Sequence, residues 1–535
     1  MKKTNKIKKF TAAKATVNEK ANPLFGFSKK GWISSAKLES KKGKKLSKGE
    51  KEAVLYVLGS KAARKACRDL LKPSCSLWQL NLIDTEKSFV QIQTDLGLVW
   101  LLKGNASTAD SSHHYGMLEE SQYANLRDLS GKVLSGVREA GVEHLSIDFI
   151  DCNHEQKKGF LVGLELASYS FFRTQKKSSK NILPELALSN ISKDLLEDAS
   201  NIGIGVNVAR HLVNAPASHL NPESYATFVN TLFARISTTK VTVWDEARIL
   251  KEKLNLLHTV GRAGEHPSKL IHIAYRPKAG RKSSALKPLA FVGKGITFDT
   301  GGLDLKPSNA MRLMKKDMGG SASLVGLAWW LQASQCDVPC DIYLAVAENA
   351  VAGGAMRPGD ILQARNGLSV EIHNTDAEGR LVLGDALLVA TSKQGKDKPQ
   401  AIIDLATLTG AMRVALGTKV AGLCSNSDVL ADAILTSGQR AGDPCWRMPL
   451  IAKYEEMLKS SVADISNASS TGFGGGITAA LFLQKFIGPF KWAHIDMMAW
   501  AEKPEGAIGE VGGNGQMVQA LADFLTNYKA KTLQE

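Results

Sequence analysis

The 535-residue chain lacks any uninterrupted apolar run of the roughly 18–20 residues that a membrane helix needs, so no spanning segment is expected. Its seven cysteines (Cys67, Cys75, Cys152, Cys336, Cys340, Cys424 and Cys445) are odd in number and scattered. That pattern excludes a disulfide framework and a thiolate zinc site, and it fits a reducing compartment such as the cytoplasm. His373 and His494 each lack a second histidine at ligand spacing and read as supporting side chains, while His113-His114 falls in a polar, loop-like stretch. Nucleotide fingerprints are incomplete. Gly203-Ile204-Gly205 has no third glycine and reads as close helix packing, and Gly472-Phe473-Gly474-Gly475-Gly476 has no following lysine and reads as a loop. Arginine is absent from the first 50 residues, which carry fifteen lysines against Glu19, Glu39 and Glu50, a net of +12 out of the chain's +16. With no apolar segment behind it, this is not a secretory signal, and an arginine-free composition disfavours a mitochondrial one. Residues 1–50 read as a disordered, solvated extension, and removing Met1 to Lys48 is expected to leave catalysis unaffected. Nucleic-acid contact is the alternative use of such lysines.

What is present is concentrated in two segments. Asn374-Thr375-Asp376-Ala377-Glu378-Gly379-Arg380-Leu381 places two carboxylates and a guanidinium at alternate positions, between a strand-like run, Ser369 to His373, and helical spacing from Leu381 to Thr391. Such charges beside buried runs are costly unless a metal or a partner cation neutralises them. Upstream, Pro288 to Val292 reads as a buried strand followed by a glycine-rich loop. This loop carries Lys294, Asp299, Asp304, Lys306 and Asp317 before an apolar helix, Ala322 to Leu331. A phosphate cradle would need Gly-Lys-Ser/Thr opening the helix directly, so the alternation points to a carboxylate-rich metal site. Asp304 reads as an exposed turn acid, and Trp329-Trp330 as core packing.

The octapeptide and the Lys294, Asp299, Lys306, Asp317 spacing resemble the cytosolic leucine aminopeptidase family, two-metal exopeptidases that assemble as hexamers. Further family-like pieces follow in order: Arg357-Pro358-Gly359-Asp360, Asp404-Leu405-Ala406-Thr407-Leu408-Thr409-Gly410, Ile477 to Leu483, and His494 to Trp500 with Gly512 to Gln516. The last pair is similar to a bacterial branch. The resemblance implies that Lys294, Asp299, Asp317 and Glu378 hold one divalent ion and that Asp299, Asp376 and Glu378 hold the other. A ligand set of oxygens and one amine, without Cys or His, suits manganese, zinc or magnesium. Such a site activates water for attack on a peptide carbonyl. The resemblance further implies Lys306 as the oxyanion stabiliser and Arg380 as holder of a bicarbonate that relays a proton. Met314, Thr407 and Gly410 would then line the pocket for the first side chain, with leucine and other apolar residues preferred. Gly384 departs from the alanine usual in the family, which bears on helix stability rather than chemistry.

The expected fold class is α/β: a smaller N-terminal α/β domain, then a larger catalytic α/β domain with a mostly central β-sheet flanked by helices. The expected organisation is residues 1–50 as extension, 51–184 as N-terminal domain, 185–215 as helical connector and 216–535 as catalytic domain. Short strands are expected at Leu77 to Ile83, Val90 to Thr94 and Leu145 to Ile150, a helix at Tyr123 to Glu139, and catalytic strands near Val241, Ile271, Ala290, Ile342, Val370, Ile402 and Ala493. The expected activity is removal of N-terminal residues from peptides in intracellular peptide turnover, by a homohexamer without membrane contact. The alternative is DNA binding through the basic tail.

Overall fold

Alternating β-rich runs and apolar-striped helices resolve, in a computed structural model, into two large sheets with helices packed on them and two small satellite sheets. The structure describes residues 27–39, 52–95, 97–104, 118–171, 183–278, 286–529 and 533. In the N-terminal half, β1 (Lys37–Glu39), β2 (Glu52–Leu58), β3 (Phe89–Thr94), β4 (Gly97–Lys103), β5 (His144–Ile150) and β6 (Glu185–Ser189) form one sheet in the order β1-β6-β5-β2-β4-β3. Every pairing in it is parallel except the β3–β4 hairpin. In the C-terminal half the strands are β7 (Thr239–Trp244), β8 (Lys269–Tyr275), β9 (Leu289–Asp299), β10 (Cys340–Asn349), β11 (Ile361–Gln363), β12 (Ser369–Glu371), β13 (Ile402–Ala406), β14 (Ala421–Ser425), β15 (Cys445–Arg447), β16 (Ile465–Ser466), β17 (Trp492–Asp496), β18 (Trp500–Ala501) and β19 (Gly512–Gly513). Eight of them make the central sheet, ordered β15-β14-β17-β13-β9-β10-β8-β7. Its four middle strands, β17, β13, β9 and β10, run parallel and are buried along both faces, as a sheet covered by helices on each side requires. Parallel alignment brings the C-terminal ends of all four to one edge, where the site forms.

The fold class expected from sequence is the one observed, and several local expectations are corrected. Leu77–Asn81 is a helix, not a strand, because Ser76 and Gln79 form a reciprocal capping box that starts it. The stretch expected as a helical connector begins with a strand, β6, and its helix is Lys193–Asn214. Val370 lies in a small satellite sheet of β11, β12 and β16 instead of the central one. The run at Pro288 to Val292 does not give way to a loop at Gly293, since β9 continues to Asp299 and Lys294 sits inside the strand. The Gly203-Ile204-Gly205 reading holds: a Cβ at Gly326 would lie 2.3 Å from the Gly205 carbonyl oxygen, so the helices Lys193–Asn214 and Gly319–Ala333 cross in backbone contact. Trp329 and Trp330 are buried in the core that runs continuously between the two sheets. His113 and His114 lie outside the described residues.

The lysine-rich extension is not uniform. Most of residues 1–50 lie outside the described residues, but 27–35 pack against the helices His154–Ser168, Lys193–Asn214 and Pro222–Phe233, and 37–39 join the N-terminal sheet. Ile33 is fully buried, its backbone N–H donates to the buried Glu165 carboxylate (3.0 Å), and Trp32 Nε1 donates to the Pro184 carbonyl (3.1 Å). From there the chain adds β1 to the sheet edge beside β6. A charge count cannot register two apolar residues among lysines, yet burying one isoleucine outweighs a few solvated charges. Ile33→Ala is expected to destabilise the fold by about 2–5 kcal/mol, read as a lower urea midpoint at unchanged slope. An unchanged midpoint would show that the segment does not hold its place. Deleting Met1 to Lys48 removes this anchor as well as charge.

Candidate active site

The octapeptide folds as its residue types dictate. The Asn374 side chain accepts from Asp376 N (2.7 Å), closing an Asx turn, and the helix Gly379–Thr391 starts immediately after Glu378. Gly379 is required by close approach: a Cβ there would fall 2.6 Å from the Lys294 ammonium nitrogen. The loop after β9 turns through Gly301 and Gly302 at φ +87° and +66°, a left-handed path suited to glycine. It is clasped to the octapeptide, since the Asp304 carboxylate accepts from Thr375 N (2.7 Å) and the Thr375 hydroxyl donates to the Gly301 carbonyl (2.7 Å). Asp304 is thus exposed, as read from sequence, but tied into the site's scaffold.

These two segments converge with the end of β13. The carboxylates of Asp299, Asp376 and Glu378 offer oxygens that all lie within 4.8 Å of one another. At that separation each like-charge pair costs roughly 3 kcal/mol at an effective dielectric near 20. Lys294 Nζ lies 2.6 Å from Asp317 and 3.0 Å from Glu378, and Lys306 Nζ lies 2.8 Å from Asp299 and against Asp376. Burial, then the neighbouring Asp299 charge, pushes Glu378 up to about 8 and Asp376 up to about 6. Burial likewise raises Asp317. Burial alone would lower both lysines, but Asp317, Glu378 and Asp299 hold Lys294 above its ordinary range, and Asp299, Glu378 and Asp376 do the same for Lys306. Of the two buried Glu378 oxygens, one meets the Lys294 ammonium and the other has no hydrogen-bond partner. Acids gathered this closely, with an oxygen left unbonded, fit a site for hard or borderline divalent cations.

Arg380 projects from the first turn of its helix and is buried. One terminal nitrogen donates to the Asn467 carbonyl (2.8 Å), whereas Nε is buried without a partner, leaving a donor for an anion. Burial lowers this guanidinium to about 10. All of the ligand candidates except Glu378, together with Lys306, Arg380, Met314, Thr407 and Gly410, line one cleft of about 590 Å³; Glu378 lies buried among them. The Thr407 hydroxyl donates to Asp317 (2.8 Å) and its carbonyl accepts from Lys294 Nζ (3.3 Å).

Sequence reasoning missed the supports. Asn349, on β10, donates to Asp299 (2.8 Å) and to the Thr375 carbonyl (3.2 Å). Asn467 accepts from His373 N (2.8 Å) and donates to the Asn374 carbonyl (2.7 Å). Neither asparagine lies near the residues it serves in sequence, so no local pattern marks them. His373 is exposed and His494 fully buried, with Nδ1 2.6 Å from Asp404, so neither joins the carboxylate cluster.

Residues 207–522 match the model of the "cytosol aminopeptidase family, catalytic domain", which covers more than half of the chain. The chain belongs to the cytosol aminopeptidase family. A probable cytosol aminopeptidase of Rhodopseudomonas palustris is 39% identical over 383 residues, 70% of this chain and 75% of that protein. One from Rippkaea orientalis is 37% identical over 426 residues, 77% of this chain and 84% of that one. Among solved structures, the cytosol aminopeptidase of Coxiella burnetii is 30% identical, with TM-score 0.74 over 92% of this chain and 99% of that one. The bottromycin maturation enzyme BotP in complex with Mn is 27% identical, with TM-score 0.77 over 89% of this chain and 99% of that one. As a member of this family the chain is a metal-dependent aminopeptidase, a peptide hydrolase of the leucyl aminopeptidase type. Among the described residues no helix is long and apolar enough to cross a membrane.

Proposed function

We propose that the cleft removes N-terminal residues from peptides, leucine and other apolar residues being preferred, with two divalent ions held by Lys294, Asp299, Asp317, Asp376 and Glu378. Asp299 and Glu378 would serve both ions. The observation that carries this reading is the convergence of Asp299, Asp376 and Glu378 to within 4.8 Å, from segments far apart in sequence. Manganese is the first choice, in keeping with the Mn of the BotP structure, and zinc or magnesium would satisfy the same donors. When bound, such ions polarise a peptide carbonyl and acidify water at neutral pH. Lys294 must give up a proton before its nitrogen can coordinate, which couples ion binding to proton release.

The chain's own groups supply the rest. Lys306, kept cationic by Asp299, Glu378 and Asp376, faces the cleft as a donor to the developing oxyanion. Arg380 offers its free Nε to a bicarbonate positioned to take a proton. Met314, with Leu313, Met412 and Met497, gives the cleft the apolar wall that a leucine-like side chain needs, beside Thr407 and Gly410. A homohexamer acting in cytoplasmic peptide turnover is proposed from the family resemblance, and seven free thiols are compatible with that compartment. The DNA-binding alternative gains no support from the fold.

The test is hydrolysis of a panel of aminoacyl amides by purified protein, with metal content measured in parallel. Chelation is expected to abolish turnover and manganese to restore it, with leucine and methionine substrates leading; metal-independent activity would refute the reading. Arg380→Ala is expected to lower turnover and blunt activation by added bicarbonate, with metal content and KM nearly unchanged. If that variant loses its metals, Arg380 is a scaffold for the octapeptide instead.

A further inference from the structure

One strand face reaches into the site without supplying any of the proposed ligands. Alternate residues of β17, Trp492, His494 and Asp496, point the same way; the first two grip Asp404 inside β13 and the third grips the segment that leaves it. Trp492 Nε1 donates to Asp404 (2.6 Å), and His494 Nδ1 lies 2.6 Å from the other Asp404 oxygen. Four residues further on, Asp496 accepts from Leu408 N (2.9 Å), from Thr409 N (3.1 Å) and from the Thr409 hydroxyl (2.6 Å). The same hydroxyl accepts from Met412 N (3.2 Å) and so caps the helix Gly410–Leu416.

Asp496 is 1% exposed yet borders the cleft. Its two oxygens accept four contacts from this short segment, Thr409 N being shared between them, so its acceptor capacity is turned to the loop and away from substrate. The residue held between the two clamps is Thr407, whose hydroxyl reaches Asp317 and whose carbonyl takes the Lys294 ammonium. Any slack in the Thr407–Gly410 segment is therefore passed to two members of the cluster and to the cleft wall.

We propose that Asp496 is a positioning residue for catalysis: by fastening Leu408 and Thr409 it sets Thr407, and through Thr407 the placement of Asp317 and Lys294. The proposal rests on the aminopeptidase reading above and adds to it a residue that touches neither substrate nor metal. A carboxylate at 496 suits donors alone. An amide there turns an NH2 toward Thr409 and must release at least one of the contacts.

The test uses the full-length, manganese-loaded protein and a double-mutant cycle. Asp496→Asn is expected to lower kcat on a leucyl amide at least tenfold, and Thr407→Val, which removes the hydroxyl on Asp317, to lower it by a similar factor. If both act through one path, the double variant loses no more than the worse single one. Multiplying losses would overturn the proposal, because a general loss of folding or a separate role for Asp496 compounds with Thr407→Val. So would an Asp496→Asn enzyme within twofold of wild type. Should Asp496→Asn fail to fold, Thr409→Val removes one donor to Asp496 together with the cap on Met412 N, and Thr409→Ser, which keeps both, serves as its control. Thr409→Val is expected to lower kcat at least threefold and to be non-additive with Thr407→Val, Thr409→Ser to stay near wild type, and additivity of Thr409→Val with Thr407→Val also overturns the proposal. Absence of activity in the wild-type holoprotein would instead refute the aminopeptidase reading.

Discussion

Glu378→Gln is expected to lower peptide-hydrolysis turnover by orders of magnitude and to weaken metal retention while leaving the far-UV circular dichroism unchanged. Glu378 is 1% exposed, and its carboxylate shares a space under 4.8 Å with those of Asp299 and Asp376. A charge buried there is sustained by cations alone, and glutamine keeps the volume but removes both the charge and one carboxylate of the proposed ligand set. The substitution also removes the charge paired with Lys294, whose Nζ lies 3.0 Å from one Glu378 oxygen, so its effect falls on the electrostatics and coordination of the cluster. Turnover near wild type with full metal occupancy would take Glu378 out of the ligand set.

Lys306→Met should reduce kcat by about 10²–10³-fold with metal content retained and KM little changed, the pattern of an interaction made only in the transition state. Methionine preserves the length of the stem and removes the charge. Lys306 is largely enclosed, with its ammonium between Asp299 at 2.8 Å and Asp376, and those acids hold it above the ordinary lysine range. Loss of less than about tenfold would assign the oxyanion to the metal ions alone. Loss of metal on substitution would recast Lys306 as a counter-charge that holds Asp299 and Asp376 in register.

Much of the site was legible because its chemistry is written in short, contiguous spans. Asp376, Glu378 and Arg380 lie within five residues, and a turn between a strand and a helix is recognisable from periodicity and an Asx residue. Nothing in the sequence marks Gly379, and only the fold shows that a Cβ there would fall 2.6 Å from the Lys294 ammonium nitrogen. The misread elements have equally local causes. Leu77 to Ile83 has strand-like composition, but the capping box at Ser76 and Gln79 decides in favour of helix. The glycines around Lys294 mimic a loop, whereas Gly293 and Gly295 are strand residues in β9, pressed against a helix and against β10.

The sequence by itself determined the α/β class, the family, and which charged side chains stand out as candidates for the site, because those follow from residue type and from spacing along the chain. What only the tertiary structure decided is how those spans meet. Parallel strands β9, β10, β13 and β17 end at one edge, so Asp299, Asn349, Thr407 and Asp496 become neighbours although some 200 residues separate the first from the last. The fold also turned part of a lysine-rich extension into a buried anchor at Ile33. Such contacts depend on sheet order and burial, which no window along the chain contains, because the free energy that selects them comes from surfaces brought together over long separations.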